Sequence, residues 1–414
     1  MANGLWVDQT NNAFVTGSFS GNAKFFKSEV ASRGGGDIYV TKYNPAGSIV
    51  WVKTFGGKSD DFAQAITGDP EGNLYLTGIF TDTAWFENES IIARGTDIFV
   101  LKLSPLGKVI WVHSLETLGT ALSQSIAVTD QGGVYIGGLF SGKYSKPVNR
   151  SLGQTDGFVS KLTWQGENSW TKVIGGPGFD EVTMVKTDPW GRVVSAGVFD
   201  NTFVVDDQET VGFSSKSAFV VRMEATGNVL WSKGFSGVDS QVLVADATSD
   251  LNGNVFLAGK FSGESLFGDH ALISKGQSDV FVCSVNPKGG IDWASGVGST
   301  DVDEAVSICH DGNKNLYVGG IFNKVVEYGR KSQQADYDNQ VFIGRWDIRG
   351  NVDEFRKQDF NSTFNCAGHM LNAKGELWIC GSFTEKTSFG KLKFVSAGEE
   401  DMFITSISDS KIAR

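Results

Sequence analysis

Paired carboxylates are the residues of this 414-residue chain with the types and spacing for acid–base chemistry. Two acids in unlike surroundings can divide the roles of proton donor and acceptor. They stand at Asp60-Asp61, Asp180-Glu181 and Asp301-Val302-Asp303-Glu304. Aligned on the turns that follow, Asp61, Asp180 and Asp303 occupy one repeat position. Thr, Ala, Gln, Val or Phe fills it in the intervening copies. A second acid set, Asp37, Asp97, Asp156, Asp279 and Asp401, precedes an aromatic strand. If both sets rim one face, they form an acidic mouth for a cation or cationic ligand, with calcium as the ion of choice. The competing role is to accept backbone N–H bonds and fix a loop. Recurrence at one position favours that role, because a shared fold needs the same turn many times and a site does not.

Other chemistry finds little support. His113, His270, His310 and His369 lie apart with no His-x-x-x-His spacing, and no Cys-x-x-Cys occurs, so no metal site is expected. A Gly-x-Ser-x-Gly elbow and a P-loop are missing. Of the four cysteines, Cys366 and Cys380 flank the turn Asn372–Gly375, either as a bridge or as two buried thiols. Among aromatics, Trp85, Trp164, Trp190 and Trp346 fall outside the repeat pattern and are candidates for binding. Trp190 is the sharpest, since it sits in a turn where other copies carry small polar residues.

The elements that position these residues recur. A strand ending in Gly-x-Phe places glycines at 17, 78, 138, 197, 259, 320 and 381, a period of about 60 residues. About twenty residues later comes an Asp-x-Phe-Val type strand, as in Asp97-Ile98-Phe99-Val100. A turn and a Trp-bearing strand follow, as in Gly107…Trp111. The sixth copy blurs this element to Gly350…Phe355 and the seventh lacks it. A short apolar strand and an Asp/Asn/Gly turn precede each Gly-x-Phe. These four strands are named A (Ala65 type), B (Gly-x-Phe), C (Asp-x-Phe-Val) and D (Gly-x-x-x-Trp). One such sheet cannot bury both faces alone, whereas radial stacking does. The expected fold is therefore all-β, a seven-bladed β-propeller of four-stranded antiparallel blades with a three-stranded last blade. Its single domain, 1–414, divides at 1–57, 58–116, 117–176, 177–237, 238–299, 300–361 and 362–414.

The strings Ala65-Ile66, Gly72-Asn73-Leu74-Tyr75-Leu76-Thr77-Gly78, Asp97-Ile98-Phe99-Val100-Leu101-Lys102-Leu103 and Gly107-Lys108-Val109-Ile110-Trp111 resemble the bacterial seven-bladed β-propeller repeat (SBBP) family. The resemblance spans essentially the whole chain. It departs where that family carries a Ser…Phe-Pro stretch and this chain has Gly-x-Phe-Ser/Thr. It implies a secreted or surface-associated bacterial protein and no shared activity.

Composition bounds the partners. With 52 Gly and 7 Pro, the chain suits many tight turns rather than low-complexity linkers, and 30 Phe and 11 Trp can fill stacked sheets. A formal charge of −11 weighs against nucleic acid, and no apolar run reaches the ~20 residues of a spanning helix. The functional expectation is a non-catalytic scaffold binding protein or glycan, with no cofactor, in an extracellular or cell-surface setting; Met1 opens no export signal. Its alternative is a carbohydrate-active lyase or hydrolase using Asp61, Asp180 and Asp303. Residues upstream of Met1 are expected to supply the missing last strand, whose absence leaves an open edge for strand pairing.

Overall fold

A slip in strand A accounts for the glycine of the Gly-x-Phe element in repeats 2, 3, 5 and 6. In repeat 2, strand A (Asp61–Gly68) pairs antiparallel with strand B (Leu74–Phe86), and the register shifts between Ala63 and Ala65. The bulge drives the Phe62 carbonyl into the space that a Cβ on Gly78 would need. Leu122, Leu243 and Glu304 crowd Gly138, Gly259 and Gly320 in the same way. The shift recurs at Ser123/Ser125, Val244/Asp246 and Ala305/Ser307. The recurring glycine is a steric condition of A–B pairing.

The computed structural model describes residues 1–115, 117–144, 149–206, 208–212, 216–358, 360–361, 364–371, 376–383, 386–389, 392–396 and 401–408. All its regular elements are strands, and no helix is long and apolar enough to cross a membrane. The chain forms two compact units, Met1–Thr187 with Ala225–Gly227, and Asp188–Glu224 with Asn228–Arg414.

In the first unit, repeat 1 runs A (Ala2–Val7), B (Ala13–Phe25), C (Ser28–Tyr43), D (Ile49–Gly57). Repeat 2 continues with C (Glu89–Leu103) and D (Val109–Leu115). Repeat 3 comprises Ala121–Val128, Val134–Phe140, Asp156–Leu162 and Asn168–Ile174. Neighbours in each A-B-C-D series are antiparallel. In the second unit, Val193–Phe199, Ser217–Met223 and Val229–Phe235 pair consecutively. Two full sheets follow: Gln241–Ser249, Val255–Ser262, Asp279–Val285, Ile291–Val297, then Glu304–His310, Asn315–Phe322, Gln340–Asp347, Val352–Lys357. The last sheet has three strands among the described residues, Phe364–Leu371, Glu376–Phe383 and Asp401–Ser408.

Each stretch between B and C holds something the four-strand reading did not anticipate: a β-hairpin. It is separate at Thr202–Val205/Gln208–Val211, Glu264–Phe267/His270–Ile273 and Val325–Tyr328/Lys331–Gln334. In repeats 1 and 2 it continues strands B and C. In repeats 2 and 5 the hairpin links the repeat to the one before. Gly56 and Gly57 at the end of strand D pair with Trp85 and Ala84, and Ser236 bridges Leu266. Phe86 stacks on Phe55 of the preceding repeat at 5.5 Å and packs on its own Phe99 at 5.4 Å. Phe267 joins Phe235 to Phe281 likewise, at 5.3 and 4.8 Å. The apolar cores accordingly run from one repeat into the next.

The Trp of strand D has a similar task. Gly107, Gly166, Gly227, Gly289 and Gly350, each with positive φ, lie against Trp51, Trp111, Trp170, Trp231 and Trp293 of the preceding repeat. Three of these indoles also donate to that next turn: Trp111 to the Trp164 carbonyl at 3.1 Å, Trp170 to Ala225 at 3.2 Å, Trp293 to Ile348 at 2.9 Å. The sixth copy departs from its sequence reading. Glu354, opposite Arg345, takes the Trp position, and Phe355 turns inward onto Phe342 at 4.3 Å. Gly344 makes room there for Trp346, which is fully buried and so is a core residue rather than a binding candidate.

For the cysteines, the register sets Cys366 opposite Gly381 and Gly368 opposite Cys380. The turn 372–375 lies outside the described residues.

Candidate functional site

Three members of each acid set come together, Asp37 with Asp61, Asp156 with Asp180 and Asp279 with Asp303, but in the interior. Asp37 stands in strand C just past the hairpin, and strand A of the next repeat opens with Asp61; Gly56 at the end of strand D separates them. A Cβ on Gly56 would stand 2.8 Å from the Asp37 carboxyl and 3.1 Å from Asp61 Oδ2. Only glycine permits this approach. The arrangement recurs as Asp156, Gly175, Asp180 and as Asp279, Gly298, Asp303. A Cβ on Gly175 or Gly298 would collide with the Asp156 or Asp279 carboxyl.

These six acids and Asp97 are buried and line no exposed rim, whereas Asp401 is half-buried. Asp61 Oδ2 accepts from Gly57 N–H at 2.7 Å, Asp180 Oδ2 from Gly176 at 2.7 Å, and Asp303 Oδ2 from Ser299 at 2.5 Å. Asp303 Oδ1 accepts from Asn323 N–H at 2.8 Å. On strand C, Asp37 accepts from Arg33 N–H at 3.1 Å and Asp156 from Leu152 at 2.6 Å. Each acid thus fixes its own loop, as recurrence suggests it should. Burial pushes the Asp61 carboxyl up to about 7, and the charges of Asp37 and Asp60 add to the rise. Burial likewise raises Asp37, Asp156, Asp279 and Asp303. The Oδ1 atoms of Asp37, Asp61, Asp156 and Asp279 have no hydrogen-bond partner. These are carboxyl pairs suited to holding a proton, and a substrate could not reach them with the loops as they stand. Among the described residues, no three His, Cys, Asp or Glu side chains are placed to hold a metal ion.

Trp190 is placed by a different kind of cluster. In the A–B turns, Asp8, Asp69, Asp250 and Asp311 each bind the Asn four residues on, through both carboxylate oxygens. In repeat 4 an arginine replaces that Asn. Asp188 accepts from Arg192 at 2.7 Å and from Arg222 at 2.6 Å, and Arg222 also donates to the Gly253 carbonyl at 2.6 Å. Despite burial, these arginine bonds hold Asp188 below the usual carboxylate range. The Trp190 ring lies over the Arg192 guanidinium at 4.7 Å and remains 46% exposed. Trp164 and Trp85 are exposed too, at 60% and 47%.

Sequence reasoning missed Arg222. Its signal was present: Lys42, Lys102 and Lys161 hold the equivalent place, each with its ammonium over an aromatic ring at 5.1, 4.8 and 5.5 Å. Repeat 4 has Val194 where those rings stand, so the cation there turns to Asp188 instead.

Known proteins bear on the fold. No family model matches the chain. It is 21% identical to an uncharacterized WD repeat-containing protein of Acanthamoeba polyphaga mimivirus, over 84% of its own length. The chain spans 31% of that relative. Among solved structures, a puromycin hydrolase is similar with a TM-score of 0.50 at 10% identity, over 93% of this chain and 50% of that one. The Pan2 WD40 domain of Neurospora crassa gives 0.46 at 10% identity, over 91% and 85%. The resemblance to the bacterial SBBP repeat rests on the residues quoted for it. The repeated four-stranded antiparallel sheets and the WD-repeat relative make this chain a β-propeller-type repeat protein in the broad sense.

Proposed function

We propose that the chain is a seven-bladed propeller that works by binding, as a protein-interaction scaffold of a secreted or surface-associated bacterial assembly. One observation carries the reading. The recurring acids and tryptophans are occupied in fixing turns and joining repeats, whereas Trp85, Trp164 and Trp190, which do not recur, stay exposed. Tryptophan is enriched among the residues that dominate protein interfaces. The WD-repeat relative supports a repeat scaffold of this kind. Catalysis by Asp61, Asp180 and Asp303 is the weaker reading, because all three are buried and bonded to their own loops.

The test is cross-linking of the whole chain to an extract of its native cell surface, in parallel with a glycan array. A protein partner whose capture falls about tenfold in the Trp164→Ala/Trp190→Ala variant is expected. Binding to glycans without a protein partner would sink the reading. Polysaccharide turnover abolished by Asp61→Asn would sink it as well.

A further inference from the structure

The A–B turn of repeat 4 departs from its counterparts at several places at once. Arg192 stands where the other aspartate turns bond Asn12, Asn73, Asn254 or Asn315. Trp190 stands where they carry Thr10, Glu71, Asn252 or Asn313, and the fully buried Arg222 joins the cluster. The fold accounts for part of this. Asp188 Oδ1 accepts from the N–H groups of Trp190 and Arg192, both at 2.9 Å, and Oδ2 accepts from Arg192 Nε and Arg222 Nη2. These bonds fill the carboxylate's acceptor sites.

The groups that the fold leaves unused are all donors. Arg192 gives its Nε to Asp188, and among the described residues its terminal nitrogens and the Trp190 indole N–H have no hydrogen-bond partner. Guanidinium and indole nitrogens donate and do not accept, so a ligand here must bring the acceptors. A planar carboxylate matches the paired terminal nitrogens of a guanidinium. The guanidinium is also fixed in advance, with Asp188 on one edge and the Trp190 ring at 4.7 Å, which limits the entropy lost on binding. Its side chain is still 23% exposed.

Beside it the surface is apolar. A Cβ on Gly253 of the next turn would stand 3.2 Å from Arg192 Nη2. That turn presents Leu251, 71% exposed, while the carboxylate of Asp250 is taken up by Asn252 and Asn254. The charge of −11 is spread over 414 residues, and physiological salt screens it beyond about 8 Å. At this turn a ligand meets a cation between apolar groups.

We infer that the repeat 4 turn binds an acidic side chain of a partner protein, its carboxylate on the outer edge of Arg192 and an adjoining apolar residue against Trp190 and Leu251. This rests on the scaffold reading and gives its partner a chemistry. The probe is an array of peptides in which Glu or Asp adjoins Leu or Phe, beside copies carrying Gln or Asn, copies carrying phosphoserine, and sulfated glycans. The whole chain should retain the acidic peptides, and retention should fall about tenfold or more in Arg192→Asn and in Trp190→Ala. Arg192→Asn installs the residue of the other aspartate turns and leaves Asp188 its bond to Arg222, so a melting curve near that of the wild type is expected. Equal retention of the amide copies, selective binding of phosphopeptides or glycans, no retention of any peptide, or indifference to Arg192→Asn overturns the inference. Capture of a native partner that depends on Trp164 and not on Arg192 overturns it as well, yet leaves the scaffold reading standing.

Discussion

Arg222 and Asp188 meet at 2.6 Å with neither side chain exposed, inside a unit whose repeats 5 and 6 place a neutral Asn group at the equivalent turn. Removing one partner of a buried ion pair leaves a charge that water cannot reach. Asp188→Ala strands Arg222 and should cost about 3–5 kcal/mol. Arg222→Met should cost less, because Asp188 keeps Arg192 at 2.7 Å. Urea denaturation of the two variants checks the order. Equal losses would show that Arg222 does not depend on Asp188.

The carboxyl pairs make a statement about pH. Asp61 titrates near 7 in the folded chain, against ~4 for an unfolded aspartate. The folded state therefore binds more protons between those values. Its contribution to stability is fully present below ~4 and lost as pH rises through about 7. Asp188, held low by its arginines, acts in the opposite sense and loses its contribution only in acid. Asp61→Asn should thus raise the melting temperature at alkaline pH and change it little in mild acid. Melting curves across that range decide the matter. Parallel wild-type and variant profiles would show that Asp61 is an ordinary carboxylate.

The strand order was legible because the features that repeat, Gly-x-Phe and the D-strand Trp, answer to contacts made in every repeat: the bulge against Gly78 and the stacking on Gly107. The B–C hairpin was not legible. Its strands are as short as two residues, and its anchoring ring changes place, with Phe86 and Phe267 aligned but Phe203 two positions earlier. At the candidate site, recurrence favoured a loop-fixing role for the acids, yet it could not show that Asp37 and Asp61 share one interior space. Non-recurrence was the weaker guide. It singled out exposed Trp190 and buried Trp346 alike, because a core can be locally repacked around Gly344 as readily as a surface can gain an aromatic.

Calcium separates loop-fixing from ligand-binding acids. A ion that binds only the folded chain raises its melting temperature with concentration. With Asp61, Asp180 and Asp303 buried and bonded to backbone N–H groups, millimolar calcium should leave the melt unmoved. Chelation should be equally silent. A rise that is lost in Asp303→Asn would assign these acids to a metal site.

The C–D turn glycines test how one repeat leans on the next. Gly47 and Gly289 occupy the same turn position, with φ of 76° and 82°, so an alanine at either meets the same backbone strain of about 1–2 kcal/mol. Their surroundings differ. A Cβ on Gly47 would find no described atom within 4 Å, whereas one on Gly289 would stand 2.8 Å from the ring of Trp231 in the preceding repeat. That indole is buried and cannot swing away without opening the repeat boundary. Overpacking of this kind adds about 1–3 kcal/mol. Gly289→Ala should therefore destabilise clearly more than Gly47→Ala in urea, and Gly289→Ala combined with Trp231→Ala should lose the excess, since the two changes act on one contact. Equal losses for the single variants would mean that the turn, and not its seat on the neighbouring tryptophan, sets the need for glycine.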